Sequence, residues 1–243
     1  MKTLLTAIAF GLSMGHLAAQ HAVTALPESY STHFENEWVR VVRVYYAPHA
    51  KLPAHAHNAL PAAYVYLNDG GPVLFKHIGT SYGAATRPAT KTGGFRVFRG
   101  IDEIHEVENP SGLPSHFLRV EFKTDPKDVR TLKGRFFRDS VADGQNVETI
   151  QFENEQIRIS RVICAPGRSM HLAAKATEPF LLIAVEPTQL RQSGADVTLH
   201  AGEARWSGTA AFAFENRGSG PSEFLRFDFK TAPIQASLPT LPR

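Results

Sequence analysis

Apolar, β-branched and aromatic residues fall in short runs along this chain, and glycine, proline, asparagine and aspartate break the runs apart. Val39 to Tyr46, Tyr64 to Leu67, Val73 to Ile78, Phe95 to Phe98 and Phe117 to Phe122 read as strands, because such side chains suit a pleated surface. A second set follows in Ile157 to Cys164, Phe180 to Val185, Val197 to His200, Ala211 to Phe214 and Phe224 to Phe229. Turn signals such as Asn68-Asp69-Gly70-Gly71 lie between them. Long amphipathic helical periodicity is missing. Lys127 to Lys133 has room for one or two helical turns, and the proline-bearing tail from Ala232 reads as extended or frayed. The pattern predicts an all-β fold of sandwich or jelly-roll type, not a parallel α/β sheet.

The two sets of strands are copies of one unit. Phe34-Glu35-Asn36-Glu37 recurs as Phe152-Glu153-Asn154-Glu155, Arg40 and Arg43 as Arg158 and Arg161, and Ala47-Pro48 as Ala165-Pro166. Further on, Glu108-Asn109 recurs as Glu215-Asn216, Phe117-Leu118-Arg119 as Phe224-Leu225-Arg226, and Phe122-Lys123-Thr124 as Phe229-Lys230-Thr231. The copies run from about 30 to 125 and from 148 to 232, with 126–147 as a linker and 233–243 as a tail. The offset is 118 residues at the front and 107 at the back, so the first copy carries extra residues. Most are expected in Gly79 to Gly93, a long small-residue loop that is either a surface insertion or a lid over the first copy. The recurring arginines point to structural pairing with the recurring glutamates.

Composition narrows the setting. Lys2 followed by the apolar run Leu4 to Leu12 and the small residues Ala18 and Ala19 reads as a secretory signal peptide over 1–19, with cleavage after Ala19, or alternatively after Ala22. The run is too short to span a bilayer and no later stretch approaches that length, so the mature protein is expected to be secreted or periplasmic, with no membrane span. Cys164 is the single cysteine; the fold must stand without an internal disulfide, and this thiol, set among Val162, Ile163 and Ala165, reads as buried core. A net charge of +3, spread among acids, lacks the basic stripe of a nucleic-acid binder. Nucleophile elbows, phosphate loops, dinucleotide fingerprints and H-E-x-x-H helices are also absent from the sequence.

What remains is histidine. In a strand, residues two apart share a face, so His55 and His57 aim together, and His105 from a neighbouring strand can supply a third imidazole to a divalent metal. The repeat acts as an internal control: at the uniform offset, Ala173, Lys175 and Phe212 stand where the first copy has these histidines, while the framework is kept. The trio is therefore dispensable for folding, as ligands would be. His49 falls in a turn matched by Gly167. His77 shares strand parity with Val73 and Phe75, so it is a fourth ligand, a proton shuttle or a satisfied structural residue. Tyr64 and Tyr66 share one strand face, as pocket lining or as aromatic core.

These stretches resemble the motifs of the cupin family, whose first motif reads G-x5-H-x-H-x(3,4)-E-x6-G and whose second reads G-x5-P-x-G-x2-H-x3-N. Pro48 to His57, ending at Gly70, is similar to the first, and His105-Glu106-Val107-Glu108-Asn109 supplies the H-x3-N of the second. The resemblance covers both copies and is narrowest to secreted bacterial cupins of unassigned function. It implies two jelly-roll barrels related by internal duplication, the first with a metal site at His55, His57 and His105 and the second degenerate. The family's Glu ligand would fall at Ala62 or Ala63, neither of which binds metal, and the proline and glycine of the second motif are missing. The implied centre has three neutral ligands, like the iron sites of thiol dioxygenase-type cupins. Iron, manganese, zinc and nickel all suit imidazole.

The resemblance further implies a metal-dependent enzyme of dioxygenase, isomerase or lyase type acting on a small oxygen-rich molecule, with His77, Glu103 or Tyr64 moving a proton. The alternative is a non-catalytic periplasmic protein that holds metal or a small ligand, or serves a structural role. Cupins also pair through sheet edges, so a homodimer is a further implication, although two barrels in one chain meet the same need.

Overall fold

The computed structural model describes residues 21–81, 83–138 and 144–234. The expected signal peptide 1–19, Tyr82 and the residues beyond Ile234 lie outside the described residues. After a short helical turn, α1 (Ala22–Ala25), the first half supplies β1 (Tyr30–Glu35), β2 (Val39–Tyr46), β3 (Lys51–His57), β4 (Ala62–Tyr66), β5 (Val73–His77), β6 (Ala84–Arg87), β7 (Phe95–Phe98), β8 (Glu103–Glu108), β9 (Ser115–Phe122) and β10 (Lys133–Phe136). The second half supplies β11 (Val147–Glu153), β12 (Ile157–Cys164), β13 (Ser169–Leu172), β14 (Phe180–Ala184), β15 (Thr188–Gln192), β16 (Ala195–Leu199), β17 (Ala204–Gly208), β18 (Phe212–Asn216) and β19 (Ser222–Phe229).

Each half is a double-sheet jelly roll. In the first, the order β1-β2-β9-β4-β7-β10 faces β3-β8-β5-β6; in the second, β11-β12-β19-β14-β17 faces β13-β18-β15-β16. The stretch 126–147 is more than a connection: it holds a 3-10 turn at Val129–Thr131 and β10, which pairs with β7. Gly79 to Gly93 likewise is not an open loop throughout, since β6 within it pairs with β5.

The repeated Phe-Glu-Asn-Glu segments owe their recurrence to a turn. Asn36 Oδ1 accepts from the backbone amides of Trp38 and Val39 at 2.8 and 3.0 Å, and Asn154 Oδ1 does the same for Gln156 and Ile157 at 3.0 and 2.9 Å. Asn109 and Asn216 are pegs of another kind. Asn109 Nδ2 donates to the carbonyls of Ala47 and Leu113, both at 2.9 Å, and Asn216 Nδ2 to those of Cys164 and Gly220, both at 2.8 Å. The asparagine of the second motif is thus structural in both halves.

The larger sheets pack back to back, so their strands are buried on both faces. Val39 and Val41 of β2, with Leu118, Val120 and Phe122 of β9, meet Ile157, Ile159, Leu225, Phe227 and Phe229 of the other half in one core. Full burial of each such side chain is worth roughly 1.5–3 kcal/mol. Val42, Val44 and Tyr46 alternate with these and face the interior of the first jelly roll, as Val162 and Cys164 face the second. Cys164 is buried and free, its thiol pushed up by burial. Arginines complete the seam: Arg161 ion-pairs with Glu223 and donates to the Gly93 carbonyl at 2.7 Å, and Arg138 pairs with Glu223 at 2.7 Å. Arg158 pairs with the recurring Glu153 as expected, whereas Arg40 pairs with Glu121, which the second half replaces by Asp228.

Candidate metal centre

The histidine strand is shaped by a bulge. Between Leu52 and His55 the register against β8 shifts by one residue, at Pro53, which has no amide to donate and is tolerated in such places. Leu52, His55 and His57 consequently all point inward and are buried. His55 stands directly across from His105 of β8, and His105 across from His77 of β5; one step along, His57 stands across from Glu103. Four imidazoles and a carboxylate therefore share the inner face of the smaller sheet.

The bulge also corrects the alignment of the two halves. In the second half, Leu172 stands across from Phe212 with no shift, so the counterparts of His55 and His57 are Leu172 and Ala174, one residue earlier than a uniform offset gives. Leu172, Phe212, Phe180 and Leu182 fill that interior with apolar side chains. The first half keeps Ala62 and Tyr64 where the second has Phe180 and Leu182, and has a cavity of about 350 Å³.

The rings of His55, His57 and His105 have centroids 4.8, 4.9 and 5.0 Å apart, and one nitrogen of each lies within 4.8 Å of the others. His55 Nδ1 lies 2.8 Å from the Pro53 carbonyl, which only accepts, so Nδ1 carries the proton and Nε2 presents its lone pair inward. Burial pushes His55 down to about 4 and drives His57 well below the usual imidazole range, with Arg119 and His105 adding to the effect on His57. Both are neutral at physiological pH, the form that ligates metal. His105 is buried; its Nδ1 has only a long 3.5 Å contact to Glu103 Oε2, and its Nε2 has no hydrogen-bond partner among the described residues. A polar atom left so costs about 1–3 kcal/mol, and a cation at the convergence of the three rings would satisfy it. The donor set fits a divalent transition ion.

His77 and Glu103 belong to the same cluster. His77 Nε2 lies 2.9 Å from Glu103 Oε2, His77 Nδ1 lies 3.1 Å from the Gly83 carbonyl, and Glu103 Oε2 is 3.5 Å from His105 Nδ1. The carbonyl fixes a proton on Nδ1, so His77 and Glu103 share one further proton between Nε2 and the carboxylate. Burial alone would raise Glu103, but His105, Arg119 and His77 together hold it below its ordinary value. The approach to this strand turns at Gly100 (φ +74), where a Cβ would meet the Leu60 carbonyl oxygen at 2.3 Å. That turn replaces the missing proline and glycine of the second motif.

Tyr64 is in the cavity wall but not against the histidines: it lies on β4, in the larger sheet, with the Arg96 guanidinium 4.1 Å from its ring centroid. The tyrosine that does reach the trio is Tyr30, which sequence reasoning missed. Its hydroxyl is 2.8 Å from His55 Nε2 and 2.7 Å from the Tyr46 hydroxyl. Arginines of the wall were missed as well. Their signal was strand alternation: Arg96 alternates with Phe95 and Val97, but the polar side of this sheet faces the cavity, not solvent. His49 stays in its turn, at φ 60.

A scan against family models finds no match, and a search of curated proteins finds none either. Solved structures do match. The bacterial pirin YhhW from Escherichia coli, in complex with nickel(II), superposes with a TM-score of 0.56 at 16% identity, over 84% of this chain and 91% of that one. A cupin 2 conserved barrel domain protein from Leptotrichia buccalis gives 0.51 at 11% identity, over 83% and 88%. A salicylate 1,2-dioxygenase from Pseudaminobacter salicylatoxidans gives 0.50 at 11% identity, over 79% and 71%. The chain has the cupin fold in two copies, as its motifs led one to expect. No helix among the described residues is long and apolar enough to cross a membrane.

Proposed function

We propose that the first jelly roll is a divalent-metal centre that acts on a small oxygen-bearing molecule in an exported protein. The observation that carries this reading is the convergence of His55, His57 and His105 on one point, with His105 Nε2 buried and without a hydrogen-bond partner among the described residues and the equivalent point of the second half filled by Leu172 and Phe212. The nickel(II) complex of YhhW and the dioxygenase activity of another protein of this fold support it by analogy. A divalent ion bound by three neutral imidazoles supplies a Lewis acid of undiminished charge with open coordination positions.

The chain's own residues supply the rest. The Pro53 carbonyl fixes the His55 tautomer and so aims its lone pair. His77 and Glu103, sharing a proton at 2.9 Å beside His105, can deliver or accept it at a substrate atom in the cavity. Phe75, Phe98 and Phe117 keep the cavity wall apolar and limit water. A proton-moving pair suits isomerase or lyase chemistry directly, and dioxygenation remains within the same reading.

Metal analysis of protein purified without chelator, followed by oxygen-uptake and product screens of small enols, thiols, sugars and planar carboxylates, tests the proposal. Metal with turnover supports the enzyme. Metal with silence across these classes selects a protein that holds metal or ligand without turnover. Absence of metal removes both. Export is tested by sequencing the mature amino terminus, expected at Gln20 if the leader is cut after Ala19.

A further inference from the structure

The cavity beside the histidines is lined by five guanidinium groups, those of Arg87, Arg96, Arg99, Arg119 and Arg135, against the single carboxylate of Glu103. Arg119 is paired with Glu121 at 3.0 Å. The other four have no acidic partner within salt-bridge distance among the described residues. Among the described residues, Arg87 donates only to the Ser115 hydroxyl, at 2.7 Å, and its Nε and that of Arg96 are buried without a hydrogen-bond partner. Arg99 and Arg135 are exposed and stand at the mouth.

This is an unusual excess of positive charge in a concave wall. Removing guanidinium N–H groups from water without a partner is costly, and a fold keeps such groups where an anion completes them. The Arg96 guanidinium carbon also lies over the Tyr64 and Phe98 rings, 4.1 and 5.5 Å from their centroids, contacts that restrain the planar fork a carboxylate matches with two parallel hydrogen bonds. Around it the wall is apolar and aromatic, from Tyr64, Phe75, Phe98, Ile101 and Phe117. A cavity of about 350 Å³ suits a small ligand of one ring or a short unsaturated chain.

We propose that this cavity selects a small planar carboxylate, aromatic or conjugated, whose anionic group is held by Arg96, with Arg99 and Arg135 drawing it in at the mouth. The proposal names the ligand class of the centre described above and rests on that reading only for what happens to the ligand afterwards. Carbohydrates and neutral enols lack the charge that would complement four guanidinium groups with no acidic partner among the described residues.

The test measures binding of benzoate and trans-cinnamate, and of their neutral amides benzamide and cinnamamide, by titration calorimetry on chelator-treated protein and again after metal loading. The acids are expected to bind at least about ten-fold more tightly than the amides, through the charge-assisted arginine contact. Arg96→Gln is expected to abolish that preference, and Arg135→Gln, at an exposed position, to reduce it about two- to five-fold while the circular dichroism spectrum stays native. Equal affinity for acid and amide, a preference that survives both substitutions, or no binding of either acid at about 10 mM would overturn the proposal. Discrimination by protein that binds no metal leaves the arginine subsite standing and removes the metal centre; metal binding without discrimination does the reverse.

Discussion

The Tyr30 hydroxyl lies 2.8 Å from His55 Nε2, the nitrogen that the Pro53 carbonyl leaves free to ligate. This hydroxyl therefore donates to the atom a metal would take. Its other neighbour is the Tyr46 hydroxyl at 2.7 Å, and burial holds both phenols above their ordinary range. Tyrosine and metal compete for one lone pair.

Removing the competitor should tighten metal binding. Tyr30→Phe is expected to lower the metal dissociation constant by roughly five-fold, the worth of about 1 kcal/mol of net hydrogen bond. Competition against a chromophoric chelator measures it. Weaker binding would show that Tyr30 supports the loaded site instead of guarding the empty one.

Acid should destabilise the metal-free protein well above the carboxylate range. His55 is brought from 6.5 to about 4, and His57 is lowered further, in each case chiefly by burial. Between the folded and unfolded values the unfolded chain binds more protons, so stability rises with pH there. The contribution is full above about 6.5 and is lost as pH falls towards about 4. A melting temperature lower by about 5 °C or more at pH 5 than at pH 7.5 is expected in chelator. A flat profile across that window would contradict the buried, neutral imidazoles.

The two halves should fail together. Phe227 is fully buried at the seam, where it packs with Phe122 of the first half. Phe227→Ala is expected to cost about 3–5 kcal/mol in urea unfolding and to weaken metal binding indirectly, because the unfolding is shared across one core. A second-half transition that leaves the first half native would contradict the common core.

A histidine placed in the second half should not make a metal site. Phe212→His meets Leu172 and Ala174 where the first half has His55 and His57. It is expected to bind no metal and to cost about 2–4 kcal/mol, from lost packing and a buried imidazole without partners. Metal content and urea unfolding read the two effects.

Much of this was legible in the chain. The duplicated Phe-Glu-Asn-Glu turns, the His55-Ala56-His57 parity and the spare histidines of one copy all express local rules of period and turn. Three things were not. The bulge at Pro53 adds one residue that a uniform offset cannot see, so Leu172 and Ala174 were misaligned as Ala173 and Lys175. The polar alternation of Phe95-Arg96-Val97 looks solvent-facing until the second half covers the apolar side. Tyr30 meets His55 only through the pairing of distant strands, which no spacing encodes.

The central claim is that His55, His57 and His105 hold one divalent ion. Metal content per chain, measured by mass spectrometry on wild type and on His105→Ala purified side by side without chelator, tests it most directly. About one equivalent of a transition metal in wild type, falling below about 0.1 in the variant while its fold is retained, is the expected result. Wild-type protein without metal, or a variant that keeps it, would contradict the account.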